Sequence, residues 1–219
     1  MTRLMYEKEL ELLKTNLEEM ARYVESAINR ISEAIETGNM ELAENIIKND
    51  RSVNDMERSI ESKCLSIITR QQPIAGDLRM VSAALKVVTD LERIGDHAAD
   101  IAELLMRCAG MDVKHFSMHL MPMIEASKKM VKDSVTTFLN SDTTMAQFVI
   151  DSDDIVDDLF NSVKFDIITA LKNGEKNIDN CVDILMLAKY LEKIGDHAVN
   201  IAEWEVFRET GIIRNVRLL

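Results

Sequence analysis

Proline and glycine are nearly absent, two and seven in 219 residues, and aromatic residues make up only 5% of the chain. A sandwich or barrel needs turn residues every ~8–12 positions, so all-β architectures are excluded and long helices are favoured. Three cysteines, Cys64, Cys108 and Cys181, are widely scattered with no CxxC. An odd, dispersed set supports neither a disulfide framework nor a thiolate metal site, and fits a reducing compartment. Nowhere do ~18 apolar residues run together, and the N-terminus is charged from its third residue. Neither a membrane span nor a signal peptide is expected, and the cytoplasm is the expected location.

Positive charge is also in short supply. Twenty-six Lys and Arg face thirty-eight Asp and Glu, a formal net charge of −12. Such a surface repels phosphate backbones, which argues against nucleic acid as a partner and toward cations or basic protein surfaces. The 47% apolar content is enough to fill a core.

The most informative feature is an internal repeat. Residues 88–103 return as residues 188–203 with ten of sixteen positions identical, including Ile-Gly-Asp-His. Upstream, the two halves align at an offset of 103, pairing Leu17 with Leu120, Met20 with Met123, Ile35 with Phe138 and Val53 with Val156. A loop shortened by three residues near Gly174 explains the later offset of 100.

Leu10, Leu13, Leu17, Met20, Val24, Ala27, Ile31 and Ala34 follow helical steps of three and four. Gly38 supplies a stop and Asn39 or its neighbour the next cap. A second helix runs to Pro73, where a turn is required, and a third runs from Gly76 and Asp77 to Gly110. The expected fold is all-α: six long antiparallel helices of ~30 residues in two tandem three-helix bundles, residues 1–110 and 111–219, side by side or end to end. No strand is expected.

Glu92 and Asp96, like Glu192 and Asp196, are four residues apart and share a helix face. If the second and third helices form a hairpin about Pro73, Asp50 lies level with Asp96 and Asn54 with Glu92. About Gly174, Asp153 lies level with Asp196 and Asp157 with Glu192. Asp50 and Asp153 fall where an apolar residue would continue the stripe, a costly place for a carboxylate. A hard cation (Mg²⁺, Ca²⁺, Mn²⁺ or iron) would remove that cost. Against this, paired acids on a helix often face solvent, and Arg93, Lys193 and Lys86 are near enough in sequence to neutralise part of the charge.

Asp100 and Asn200, a turn further on, drift toward the surface and are weaker candidates. His97 and His197 sit about 100° around the helix and read as structural. His115 and His119 form a possible but unsupported zinc pair. Met111 to Met130 reads as core or an adaptable surface. Gly95 and Gly195, at the stripe in mid-helix, imply close approach of a neighbouring backbone, since glycine there costs about 1 kcal/mol. A ferritin-like carboxylate-bridged oxidase or storage protein is the alternative, although the motif helices lack its Glu-x-x-His pairs.

The string from Arg70 to Arg79, Arg-Gln-Gln-Pro-Ile-Ala-Gly-Asp-Leu-Arg, followed by Ala-Ala-Leu-Lys and by Asp-Leu-Glu-Arg-Ile-Gly-Asp-His, resembles the signature of the PhoU family of phosphate-transport accessory proteins. The resemblance covers the whole chain. It implies a non-catalytic, cytoplasmic, usually dimeric protein of two three-helix bundles. Such a protein would be a negative regulator linking the ATPase of a phosphate ABC transporter to a sensor histidine kinase, reaching the membrane only through these partners. In some relatives the acidic motifs hold metal clusters, which implicates Glu92, Asp96, Glu192, Asp196, Asp153 and Asp157. Asn54 replaces an acid in the first unit, so that site is expected to hold a cation less tightly.

Overall fold

The structure, a computed structural model, describes residues 3–109, 113, 117–214 and 216–217. The expected stop at Gly110, the boundary between the units and His115 lie outside the described residues. In the first unit, α1 (Arg3–Thr37), α2 (Met40–Gln71) and α3 (Gly76–Arg107) form the expected three long helices. Gly38 ends α1 at φ +72, and the Asn39 side chain accepts from the Glu41 N–H, capping α2. Leu13, Leu17, Met20, Val24, Ile31 and Ala34 are buried, whereas Leu10 and Ala27 are only partly covered.

The second unit follows the same plan with three differences. Its first helix, α4 (Leu120–Asn140), is shorter than the ~30 residues expected, and the next rod is split into α5 (Thr143–Asp151) and α6 (Asp153–Lys172). The interruption is at Ser152, whose hydroxyl donates to the Phe148 carbonyl at 2.6 Å. Short polar side chains in the Asp-Ser-Asp-Asp run compete with the backbone ladder, and the corresponding first-unit run, Lys-Asn-Asp-Arg, leaves α2 unbroken. As a result Asp153 opens α6, at the positive end of a helix. Gly174 makes the turn at φ +88 before α7 (Ile178–Thr210). After α7 the chain adds a small antiparallel hairpin, β1 (Ile212–Ile213) with β2 (Val216–Arg217), where no strand was expected. Two-residue strands are too short to leave a legible alternation.

The units pack side by side. α3 and α7 run antiparallel against one another: Arg79 near the start of α3 donates to the carbonyls of Arg208 and Glu209, while Arg107 at its end pairs with Asp183. Buried residues of both halves form a continuous core. At the crossing the repeat becomes a local twofold relation: His197 contacts Asp90 at 2.8 Å, and, with the roles exchanged, His97 stacks on Tyr190 at 5.3 Å.

Arg208 ties the ends together. It pairs with the fully buried Glu205 at 2.7 Å, donates to the Phe138 carbonyl at 2.8 Å, and its guanidinium lies over the Phe138 ring. Replacing Arg208 with alanine strands a buried carboxylate, so we expect a loss of about 3–5 kcal/mol in urea unfolding. Removing both charges with Glu205→Leu and Arg208→Met should recover most of it.

Candidate functional site

Each unit brings its predicted carboxylates together. Asp50 on α2 lies near Glu92 and Asp96 on α3, with Asn54 one turn after Asp50 on α2; Asp153 and Asp157 on α6 lie near Glu192 and Asp196 on α7. Burial, with Asp96, Asp100 and Glu103 nearby, raises the Asp50 carboxyl above its usual range. Glu92 is raised by burial and by Asp96, Glu57 and Asp50, against the opposing pull of Arg93. Asp153 is pushed up to about 6 by burial, then by Asp196, Asp157 and Glu192. Asp157, though exposed, is shifted the same way by burial and then by Glu192 and Asp196.

The neutralising cations are partly those expected. Arg93 reaches Asp96 at 3.0 Å and Glu92 at 3.5 Å, and Lys193 pairs with both Asp196 and Glu192. Lys86 takes no part. Its place is taken in the second unit by Lys189, which reaches Glu192 at 2.6 Å across the Phe160 ring. The first unit has Thr89 and Glu57 at the positions equivalent to Lys189 and Phe160, and so adds an acid where the second adds a cation. Glu57, Lys189 and Asp90 were not predicted; comparing the repeats position by position would have exposed all three as departures.

The donor set suits a hard cation in kind. Asp153 Oδ1 and Asn54 Oδ1 are buried without a hydrogen-bond partner, and carboxylate and amide oxygens are the ligands that such ions take. Among the described residues, however, no three His, Cys, Asp or Glu side chains are already arranged to hold an ion. Arg93 and Lys193 already engage part of these oxygens.

Several other expectations change. Asp100 and Asn200 lie at the α3–α7 contact: the Asp100 side chain, 43% exposed against 29% for Asp96, sits beside His97 at 3.6 Å, and Asn200 donates to Asp90 at 3.0 Å. His97 and His197 are interface residues with ring centroids 5.5 Å apart. His119 precedes α4, where its ring meets Asp166 at 2.8 Å. Met123 and Met130 are core, while Met118 is exposed. The glycines accommodate side chains, not backbone: a β-carbon on Gly95 would lie 2.9 Å from Val53 Cγ1, whereas one on Gly195 would lie 3.5 Å from Asp153 Oδ1 and Val156 Cγ1.

The PhoU domain profile matches residues 17–105 and 120–204, the two repeats. The chain belongs to the PhoU family. It is 35% identical over 212 residues to the phosphate-specific transport system accessory protein PhoU homolog of Clostridium acetobutylicum, covering 96% of this chain and 97% of that protein. The crystal structure of PhoU from Pseudomonas aeruginosa superposes with a TM-score of 0.86 at 30% identity, covering 94% of this chain and all of that one. The phosphate transport system regulatory protein PhoU from Streptococcus pneumoniae gives 0.88 at 26% identity, covering 96% and 100%. No helix among the described residues is long and apolar enough to cross a membrane.

Two measurements probe the layers. Asp153 has a folded-state pKa raised from 3.8 to about 6, so its ionisation costs stability as pH rises through that window. In buffer containing a chelator, Asp153→Asn should melt above the parent at pH 8, with the gain shrinking below pH ~6 and vanishing near pH ~4; a constant difference across this range would remove the assigned cause. Second, alanine is a better helix former than glycine by about 1 kcal/mol, but overpacking costs about 1–3 kcal/mol. Gly195→Ala should therefore melt at or above the parent and Gly95→Ala below it.

Proposed function

We propose that this protein is an accessory subunit of a phosphate-specific transport system: a non-catalytic, cytoplasmic adaptor, working as a homodimer. It would connect the ATPase of a phosphate ABC transporter with a sensor histidine kinase and keep phosphate-starvation genes silent when phosphate is plentiful. What carries the reading is family membership across both repeats, supported by the names of relatives matched over nearly their whole length. The acidic layers and the repeat boundary near residue 110 belong to the same proposal.

Asp153, Asp157, Glu192 and Asp196 would hold a divalent or iron-type cation in the second unit, and Asp50, Asn54, Glu92 and Asp96 would hold one in the first. The cation would supply positive charge to a layer in which carboxylates repel one another. The chain's own part is to present converging oxygens on two rigid helices and to keep Asp153 Oδ1 away from competing donors. With neutral Asn54 in place of an acid, the first layer binds more weakly. When a cation is bound, Lys193 and Arg93 are displaced toward solvent, which changes the charge that a docking partner meets.

Elemental analysis of protein purified without chelator should show bound metal, with the second-unit share lost in the Glu192→Ala, Asp196→Ala double variant. Unchanged stoichiometry would remove the site. Separately, the parent protein should sediment with membranes containing the phosphate transporter and stay in the supernatant with membranes lacking it. Equal partitioning would overturn the adaptor assignment whatever the metal content.

A further inference from the structure

The internal repeat provides a control for finding what is not needed to build a unit. Where α3, α7 and the C-terminal hairpin meet, a groove of about 420 Å³ opens, and Lys86, Thr89, Trp204, Ile213 and Arg214 form much of its wall. At the offset of 100, Met186 stands for Lys86, Lys189 for Thr89 and Leu104 for Trp204. No hairpin is described after α3. Among the described residues the wall of this groove is therefore particular to the α7 end, and the shared repeat does not explain it.

Each of its carboxylates is engaged through one oxygen. Asp90 Oδ1 is held by His197 and Asn200, and Glu203 Oε2 accepts from Arg214 Nε at 2.8 Å. The unspent charged donors belong to two cations. Among the described residues the exposed Lys86 ammonium has no hydrogen-bond or ion-pair partner, and Arg214 spends only Nε and Nη2, the latter on Asn200 at 2.8 Å. In a chain of net charge −12, two cations with spare donors beside one groove select an anion.

The backbone is arranged to hold them there. Arg214 sits in the hairpin turn at φ +47, a left-handed conformation that a long side chain adopts only when its surroundings enforce it. The enforcing contacts are the Glu203 and Asn200 bonds, which hold the guanidinium in the groove wall. Trp204 adds a flat apolar surface, its ring fixed edge-on against Phe207 with centroids 5.4 Å apart, and Ile213 adds a second. Groove volumes of roughly 300–1,000 Å³ suit small organic ligands. An anion alone has no use for an indole, and an aromatic ring alone has no use for the two cations.

We propose that this groove binds a nucleoside phosphate, the base against Trp204 and the phosphate between Lys86 and Arg214. The assignment does not rest on the transport reading. Trp204 is the sole tryptophan, so its fluorescence reports on this groove alone. The full chain is titrated with AMP, ATP, adenosine and inorganic phosphate in buffer with chelator, corrected against free tryptophan and repeated by calorimetry. AMP or ATP should saturate with half-effect below about 1 mM, and adenosine and phosphate should each be at least about tenfold weaker. Lys86→Glu, an exposed position, should raise the half-effect about tenfold or more while circular dichroism and melting stay unchanged. No saturable response to either nucleotide, phosphate binding as tightly as AMP, or an unaltered half-effect in the Lys86→Glu protein would each overturn the proposal.

Discussion

Two copies of one helix, α3 and α7, packed antiparallel on each other, are the contact on which the rest of the molecule depends. Each must turn one face to its own bundle and another to its twin; on the bundle side Gly95 makes room for Val53 of α2, and Gly195 lies against Asp153 and Val156 of α6. The contact is polar at its centre, where His97 and Tyr190 stack and Asp90 bonds His197 and Asn200. Arg79 and Arg107 clamp its two ends. A paired, directional centre of this kind sets register in a way that apolar contact alone does not.

That arrangement leaves the opposite edges of α3 and α7 to face α2 and α6, and there the carboxylates gather. Desolvation and mutual repulsion raise the pKa values of Asp50, Glu92, Asp153 and Asp157, and two buried oxygens, Asp153 Oδ1 and Asn54 Oδ1, lack partners. A fold selected for stability alone would place leucine or alanine at such positions. Local violations that persist in both copies of a repeat indicate a purpose other than stability.

Divergence between the copies is as informative as their likeness. Asn54 stands where the second unit has Asp157; Glu57 stands where the second unit has Phe160 with Lys189 reaching over it; α2 runs unbroken while α5 and α6 are separate. The two layers occupy equivalent places in the repeat but differ in charge. At the far end, the C-terminal hairpin lines a groove on the α7 side and links it through Arg214, Asn200 and Asp90 to the centre of the interface.

The all-α fold, the repeat, the turns at Gly38 and Gly174 and the levels at which acids face one another were legible in the sequence. Helical periodicity, turn residues and hairpin arithmetic are local properties that follow from rise per residue and backbone sterics. Tertiary structure alone decided that the bundles lie side by side, that Asp100, Asn200 and both Gly-Asp-His histidines belong to the interface, and that Lys189 takes the place expected for Lys86. Those outcomes depend on which of several polar faces a neighbouring rod covers. A covered face and a solvated one can carry the same side chains, because Asp90 and Asp100 differ in their surroundings and not in their chemistry.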